Sequence, residues 1–184
     1  MNENELQQIN KQIKDKLFYM SSYTNHKGMI GWIRSDTKRA DYIYGEITGY
    51  FLSFCAYVYN KSNDKNEQHL IKNIISSHIE WLDRSIDEGL KTRYTLSGYS
   101  DWRNNAIFSF DLSMIIRGLD DVKSIVPSSL VLIKYLKVLN KCVNTSNTIT
   151  SVYQNEELEL PQKWSTMPDI HLVKAAANMY GIEQ

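Results

Sequence analysis

Apolar residues recur at three- and four-residue intervals along most of this chain, and that spacing constrains its fold more than any other feature. The clearest case is Ile71, Ile74, Ile75, His78, Ile79 and Leu82, which a helix gathers onto one face. Similar stripes are Leu6, Ile9, Ile13 and Leu17, then Ile47, Phe51, Phe54 and Val58, then Leu112, Ile115, Ile116 and Leu119. Another follows Pro127, where Ser128 or Ser129 can cap a helix carrying Leu132, Leu136, Leu139 and Val143. A last one begins near Asp169 and carries Leu172, Ala175, Ala176 and Met179. The chain holds only three prolines, and no segment alternates as a strand does. The expectation is an all-α fold: one helical domain over residues 1–184, with about six helices in antiparallel hairpins.

The segments between the stripes are of two kinds. "NKSNDKN" is short and polar, as expected where antiparallel helices turn around. The others are long and carry Trp32, Trp102 and Trp164: "HKGMIGWIRSDTKRADYIYG", "LKTRYTLSGYSDWRNNAIFS" and "VYQNEELELPQKWSTMPDI". Long ordered loops in a compact domain are more often functional than accidental.

Charge excludes one class of partner. The 21 Lys and Arg residues balance the 21 Asp and Glu residues, with no basic run to offset that balance, so nucleic acid is not an expected partner. The N-terminal "MNENELQQINKQIKDK" has no apolar stretch of the kind a secretory signal requires, and no apolar run is long enough to span a bilayer. A soluble cytoplasmic protein without a membrane partner is expected. Cys55 and Cys142 each lie in an apolar helical pattern, as buried, unpaired thiols do in a reducing compartment. With no HExxH, no CxxC and no phosphate-cradling glycine loop, neither a metal site nor a cofactor is expected.

Three strings resemble a known family. "YGEITGYFLSF" is similar to the "YPEVTGY" signature of bacterial (α/α)-toroid proteins, the six-hairpin glycosidase-like group, and most of all to its branch associated with polysaccharide biosynthesis. "AIFSFDLSMIIRGL" and "WSTMPDIHLVKAAANMYG" resemble two later segments of that branch, in the same order. The resemblance implies a partial toroid-like array, about half of a ring, whose open apolar flank is covered by a second copy or a partner subunit. It also implies that the helix start at Glu46 faces a carbohydrate cavity.

Read as residues, Glu46 and Asp111 are the candidate catalytic carboxylates. Each stands where a first-turn acid is favoured by the helix dipole alone, and each could equally serve as acid or base in glycoside chemistry. Tyr44 and Tyr50 flank Glu46 with flat surfaces suited to sugar rings. Trp32 with Arg34, and Trp102 with Arg103, pair an aromatic platform with a guanidinium able to clamp a uronate or phosphate. The alternative for the second pair is a loop plug, with Arg103 bound to Asp101. Trp164, His171 and Lys174 complete the candidate ligand-binding set, whereas His78 belongs to the apolar face of its helix. Two readings follow: a carbohydrate-active or carbohydrate-binding protein taking a saccharide or small-molecule ligand, or a non-catalytic helical scaffold or subunit of a biosynthetic complex.

Overall fold

The computed structural model describes residues 2–25, 27–88, 91, 93–98, 102–142 and 152–153. Five helices appear among them: α1 Glu3–Tyr23, α2 Gly45–Lys61, α3 Lys65–Asp87, α4 Ser109–Val122 and α5 Ser129–Lys141. The helix expected from Asp169 lies outside the described residues.

The expectation of an all-α array is overturned by a three-stranded antiparallel sheet. Its strands are β1 Met29–Ile33, β2 Ala40–Tyr44 and β3 Arg93–Thr95, in the order β1-β2-β3. A second, two-stranded ladder pairs β4 Ile107–Phe108 with β5 Val152–Tyr153. All three of the long tryptophan-bearing loops thus contain strands. The β1–β2 hairpin escapes a period-two search because its register shifts on both sides of Trp32, with Ile30 opposite Ile43, Trp32 opposite Tyr42 and Ile33 opposite Ala40. Gly31 falls within this irregularity, packed so close to the Tyr42 ring and the Tyr44 Cβ that no side chain fits there.

The helical stripes mostly bury as their spacing demands. Leu52, Ile71, Ile75, Leu82, Leu112, Ile116 and Leu119 are fully buried, each contributing about 1.5–3 kcal/mol of burial free energy. The central helix is α4, buried on nearly every side, and its closest neighbour is α2. Helix α3 packs on α2 and α5; Tyr135 of α5 donates to the Leu82 carbonyl at 3.1 Å, and Lys134 reaches Asp83 at 2.7 Å. His78 is a core histidine: its Nδ1 lies 2.8 Å from the Ile74 carbonyl and its Nε2 lies 3.3 Å from Ser21 Oγ on α1. Ser128 precedes α5 as expected, yet its hydroxyl donates to the Leu119 carbonyl at 2.9 Å instead of capping α5, and so ties the α4–α5 turn to the core.

Helix α1 departs from its stripe. An Asn2–Glu5 capping box starts it, and Phe18 anchors it against the Phe51 ring at 6.1 Å, but Leu6, Ile9 and Ile13 remain exposed. Cys55 is a buried free thiol, and Cys142 is buried as well, its Sγ 3.9 Å from the Val138 carbonyl. Burial holds the Cys142 thiol up to about 11 and drives the Cys55 thiol higher still. No described helix is long and apolar enough to cross a membrane.

Candidate functional site

Two strand-to-helix junctions define the site. Strand β2 runs directly into α2 through Tyr44, and β4 runs directly into α4 through Phe108; both junction residues are extended and neither caps its helix with a side chain. The "YGEITGY" string of the first junction divides into structural and exposed parts. Thr48 Oγ1 accepts the Met29 amide at 2.9 Å and donates to the Tyr44 carbonyl at 2.9 Å, so it fastens the start of β1 to the start of α2. Gly49 lies against the backbone of α4, where a Cβ would stand 2.7 Å from the Ile115 nitrogen. Thr48 and Gly49 therefore serve the fold.

Tyr44 joins the two junctions. Its hydroxyl donates to Asp111 Oδ1 at 3.0 Å, linking the last residue of β2 to the first turn of α4. Asp111 is only 2% exposed, and Glu46, in the first turn of α2, is half-buried and near enough to act on the same phenol. Burial above all, then the Asp111 charge and more weakly the Glu46 charge, raises the Tyr44 phenol well above its ordinary value; the Arg93 guanidinium opposes that rise. Tyr50 stands four residues after Glu46 on the same helix face and is 42% exposed.

Arg93 is the residue that sequence reasoning missed. Strand pairing sets it opposite Tyr44, and its guanidinium carbon lies 4.8 Å from the Tyr44 ring centroid, 5.2 Å from Tyr42 and 5.9 Å from Phe108. Its Nε is buried with no acceptor among the described residues, and three aromatic faces surround the guanidinium. Alternation along β2 and β3 gives the sheet two faces. Tyr42, Tyr44 and Arg93 share one, whereas Ile43 and Tyr94 turn to α3, where the Tyr94 ring lies 5.2 Å from Trp81. Only the pairing of β3 with β2 exposes this role, because "RYT" carries no motif.

The remaining candidates scatter. Trp32 is 58% exposed and is the cross-strand partner of Tyr42, which places it at the edge of the same aromatic surface. Arg34 turns into the β1–β2 turn, where it grips Asp36 with two hydrogen bonds of 3.1 and 3.0 Å and lowers that carboxyl to about 2. The expected anion clamp is thereby engaged within its own turn. Arg103 is exposed in the 3-10 turn Trp102–Asn105; the Trp102 side chain lies outside the described residues, as do Trp164, His171 and Lys174. Among the described residues no group of three or more His, Cys, Asp or Glu side chains is placed to hold a metal ion.

Comparison of the chain with protein-family models, with curated proteins and with solved structures gave no match.

Proposed function

We propose that this protein binds, and acts on, a sugar or sugar-derived molecule at the end where α2 and α4 begin. The observation that carries the reading is the Tyr44–Asp111 hydrogen bond, which draws the two first-turn acids Glu46 and Asp111 into one cluster with Arg93. Within it, Glu46 is the acid that meets the ligand, with Tyr50 and Trp32 as the open aromatic surfaces. Asp111, closed off behind Tyr44, is a positioning residue that orients the phenol rather than a second reacting acid. The resemblance of Tyr44 to Tyr50 to the toroid signature supports a saccharide over other ligands, and the cationic Arg93 behind the aromatic surface supports an acidic sugar. The buried free thiol of Cys55 is in keeping with a cytoplasmic setting.

The test is saturation-transfer NMR with a uronate-containing oligosaccharide and a neutral one of the same length. The uronate oligomer should receive saturation, and Glu46→Gln and Tyr50→Ala should each remove most of it with melting temperatures within about 2 °C of the parent. Equal signals from parent and both variants would dismiss the assignment.

A second reading, a helical subunit that docks to another chain, draws on the apolar side chains left in the open. Leu6, Ile9 and Ile13 line one side of α1, and Leu130 and Ile133 stand out from α5. Light scattering over a range of concentrations separates the two: a monomer at every concentration speaks against self-association.

A further inference from the structure

We propose that the groove between α1 and the β1–β2 hairpin is a second site, for a small aromatic carboxylate. The groove has a volume of about 190 Å³ and is lined by Lys16, Tyr19 and Tyr23 of α1 and by Ile30, Ile33 and Lys38 of the hairpin region. It lies towards the turn end of the hairpin, where Ile33 pairs with Ala40; Tyr44 stands at the opposite end, paired with Met29. The two sites are therefore separate, and this inference does not depend on the saccharide reading.

Charge, shape and size define the ligand. Among the described residues, the charged groups lining the groove are Lys16 and Lys38, both cationic, so the ligand's polar end is an anion. The Lys16 ammonium lies 5.2 Å from the Tyr19 ring centroid, which keeps it over the groove wall. Ile30 and Ile33 give the groove apolar surface, while Tyr19 and Tyr23, 60% and 53% exposed, offer flat walls to a ring. The volume falls short of the roughly 300–1,000 Å³ of pockets for drug-sized ligands and suits a single ring bearing one carboxylate.

Lys38 adds an independent observation. It closes the β1–β2 turn, donating its amide to the Arg34 carbonyl at 2.9 Å, and its φ is 55°, in the left-handed region. Glycine takes that conformation freely and a lysine does not. A glycine would suit the turn, and the lysine instead sets a cationic side chain on the groove wall.

The experiment is an amide-resolved NMR titration of the full chain with benzoate, benzyl alcohol and inorganic phosphate. Benzoate should shift the amides of Tyr19, Tyr23, Ile30 and Ala40 in a saturable way, with a Kd on the order of 1 mM. Benzyl alcohol, lacking the charge, and phosphate, lacking the ring, should bind about tenfold more weakly or not at all. Lys38→Gly should weaken benzoate about tenfold while keeping or raising the melting temperature, since it relieves the turn, and Lys16→Gln should weaken benzoate by a similar factor from the other wall. Absence of shifts at those four amides, equal affinity for benzyl alcohol, or two variants that bind benzoate as the parent does would each overturn the proposal.

Discussion

Gly118 of α4 packs directly onto Gly49 of α2: a Cβ on Gly118 would lie 2.9 Å from the Gly49 Cα and run into the Gly49 carbonyl oxygen. A Cβ on Gly49 would in turn collide with the Met114 carbonyl. The two helices therefore touch backbone to backbone, and this contact brings their first turns, with Tyr44, Glu46 and Asp111, to the same end of the molecule. Glycine is required here for space and not for conformational freedom.

Alanine at either glycine tests that contact. Helix propensity alone favours alanine by about 1 kcal/mol in a helix interior. Here the added methyl meets backbone, which cannot rotate aside, so overpacking of about 1–3 kcal/mol or more prevails. Gly49→Ala and Gly118→Ala should each lower stability in urea unfolding, and the double variant should lose less than the sum, because the first methyl already parts the helices. An increase in stability for either single variant would mean that α2 and α4 do not meet in this way.

The Tyr44 hydroxyl calls for a contrast between neighbours. Tyr44→Phe takes a donor from the buried Asp111 carboxylate and should cost about 1–3 kcal/mol. Glu46→Gln changes a half-buried side chain in a first turn and should stay within about 0.5 kcal/mol in stability. Thermal unfolding of the two side by side decides: if Tyr44→Phe melts with the parent, the link between the helix starts is not holding them together.

Period and punctuation explain what could be read in advance. The stripe from Ile71 to Leu82 repeats for several turns and is buried on both Ile71 and Leu82, so periodicity alone placed that face. Strand β3 is three residues long and β4 only two, too short for any period to register, and β1 loses its alternation in the irregular stretch around Trp32. Exposure of Leu6, Ile9 and Ile13 was equally hidden: an amphipathic pattern names the apolar face of a helix but not what, if anything, covers it. In the candidate site, Glu46 and Asp111 could be picked out by their place in first helical turns, and Tyr44 by the flat ring it sets beside Glu46. Arg93 depends on long-range strand pairing, which leaves no local mark in "RYT".

The Arg34–Asp36 pair gives a direct reading of its own geometry. The hydrogen bond from Arg34 comes first among the causes that hold the Asp36 carboxyl at about 2, against an ordinary 3.8, with the Thr37 amide next. An NMR titration of the Asp36 carboxyl should therefore show a midpoint near 2 in the parent and a rise toward 3.8 in Arg34→Gln, with the Thr37 amide still holding part of the depression. A parent midpoint already at the ordinary value would show that the guanidinium is free for a ligand after all.

Alkaline pH should unfold this protein through its tyrosines. Tyr44, Tyr94 and Tyr135 all have phenols raised above the ordinary 10.0, in each case chiefly by burial. Each also donates its proton, to Asp111 at 3.0 Å, to the Ser85 carbonyl at 3.3 Å and to the Leu82 carbonyl at 3.1 Å, so ionisation destroys a hydrogen bond as well as burying a charge. Because the native values lie above those of the unfolded chain, the folded state keeps these protons after the unfolded state has released them. Their contribution to stability is whole below pH 10.0 and is lost as pH rises through the native values. A spectrophotometric titration at the tyrosinate band should show some of the 12 tyrosines ionising near their ordinary value, with at least these three appearing only in a later step that coincides with loss of helical circular dichroism. Tyr44→Phe and Tyr135→Phe should each reduce the amplitude of that step by one tyrosine. A single smooth transition of all tyrosines near 10.0, with the helices still intact, would mean that burial does not hold back the three phenols.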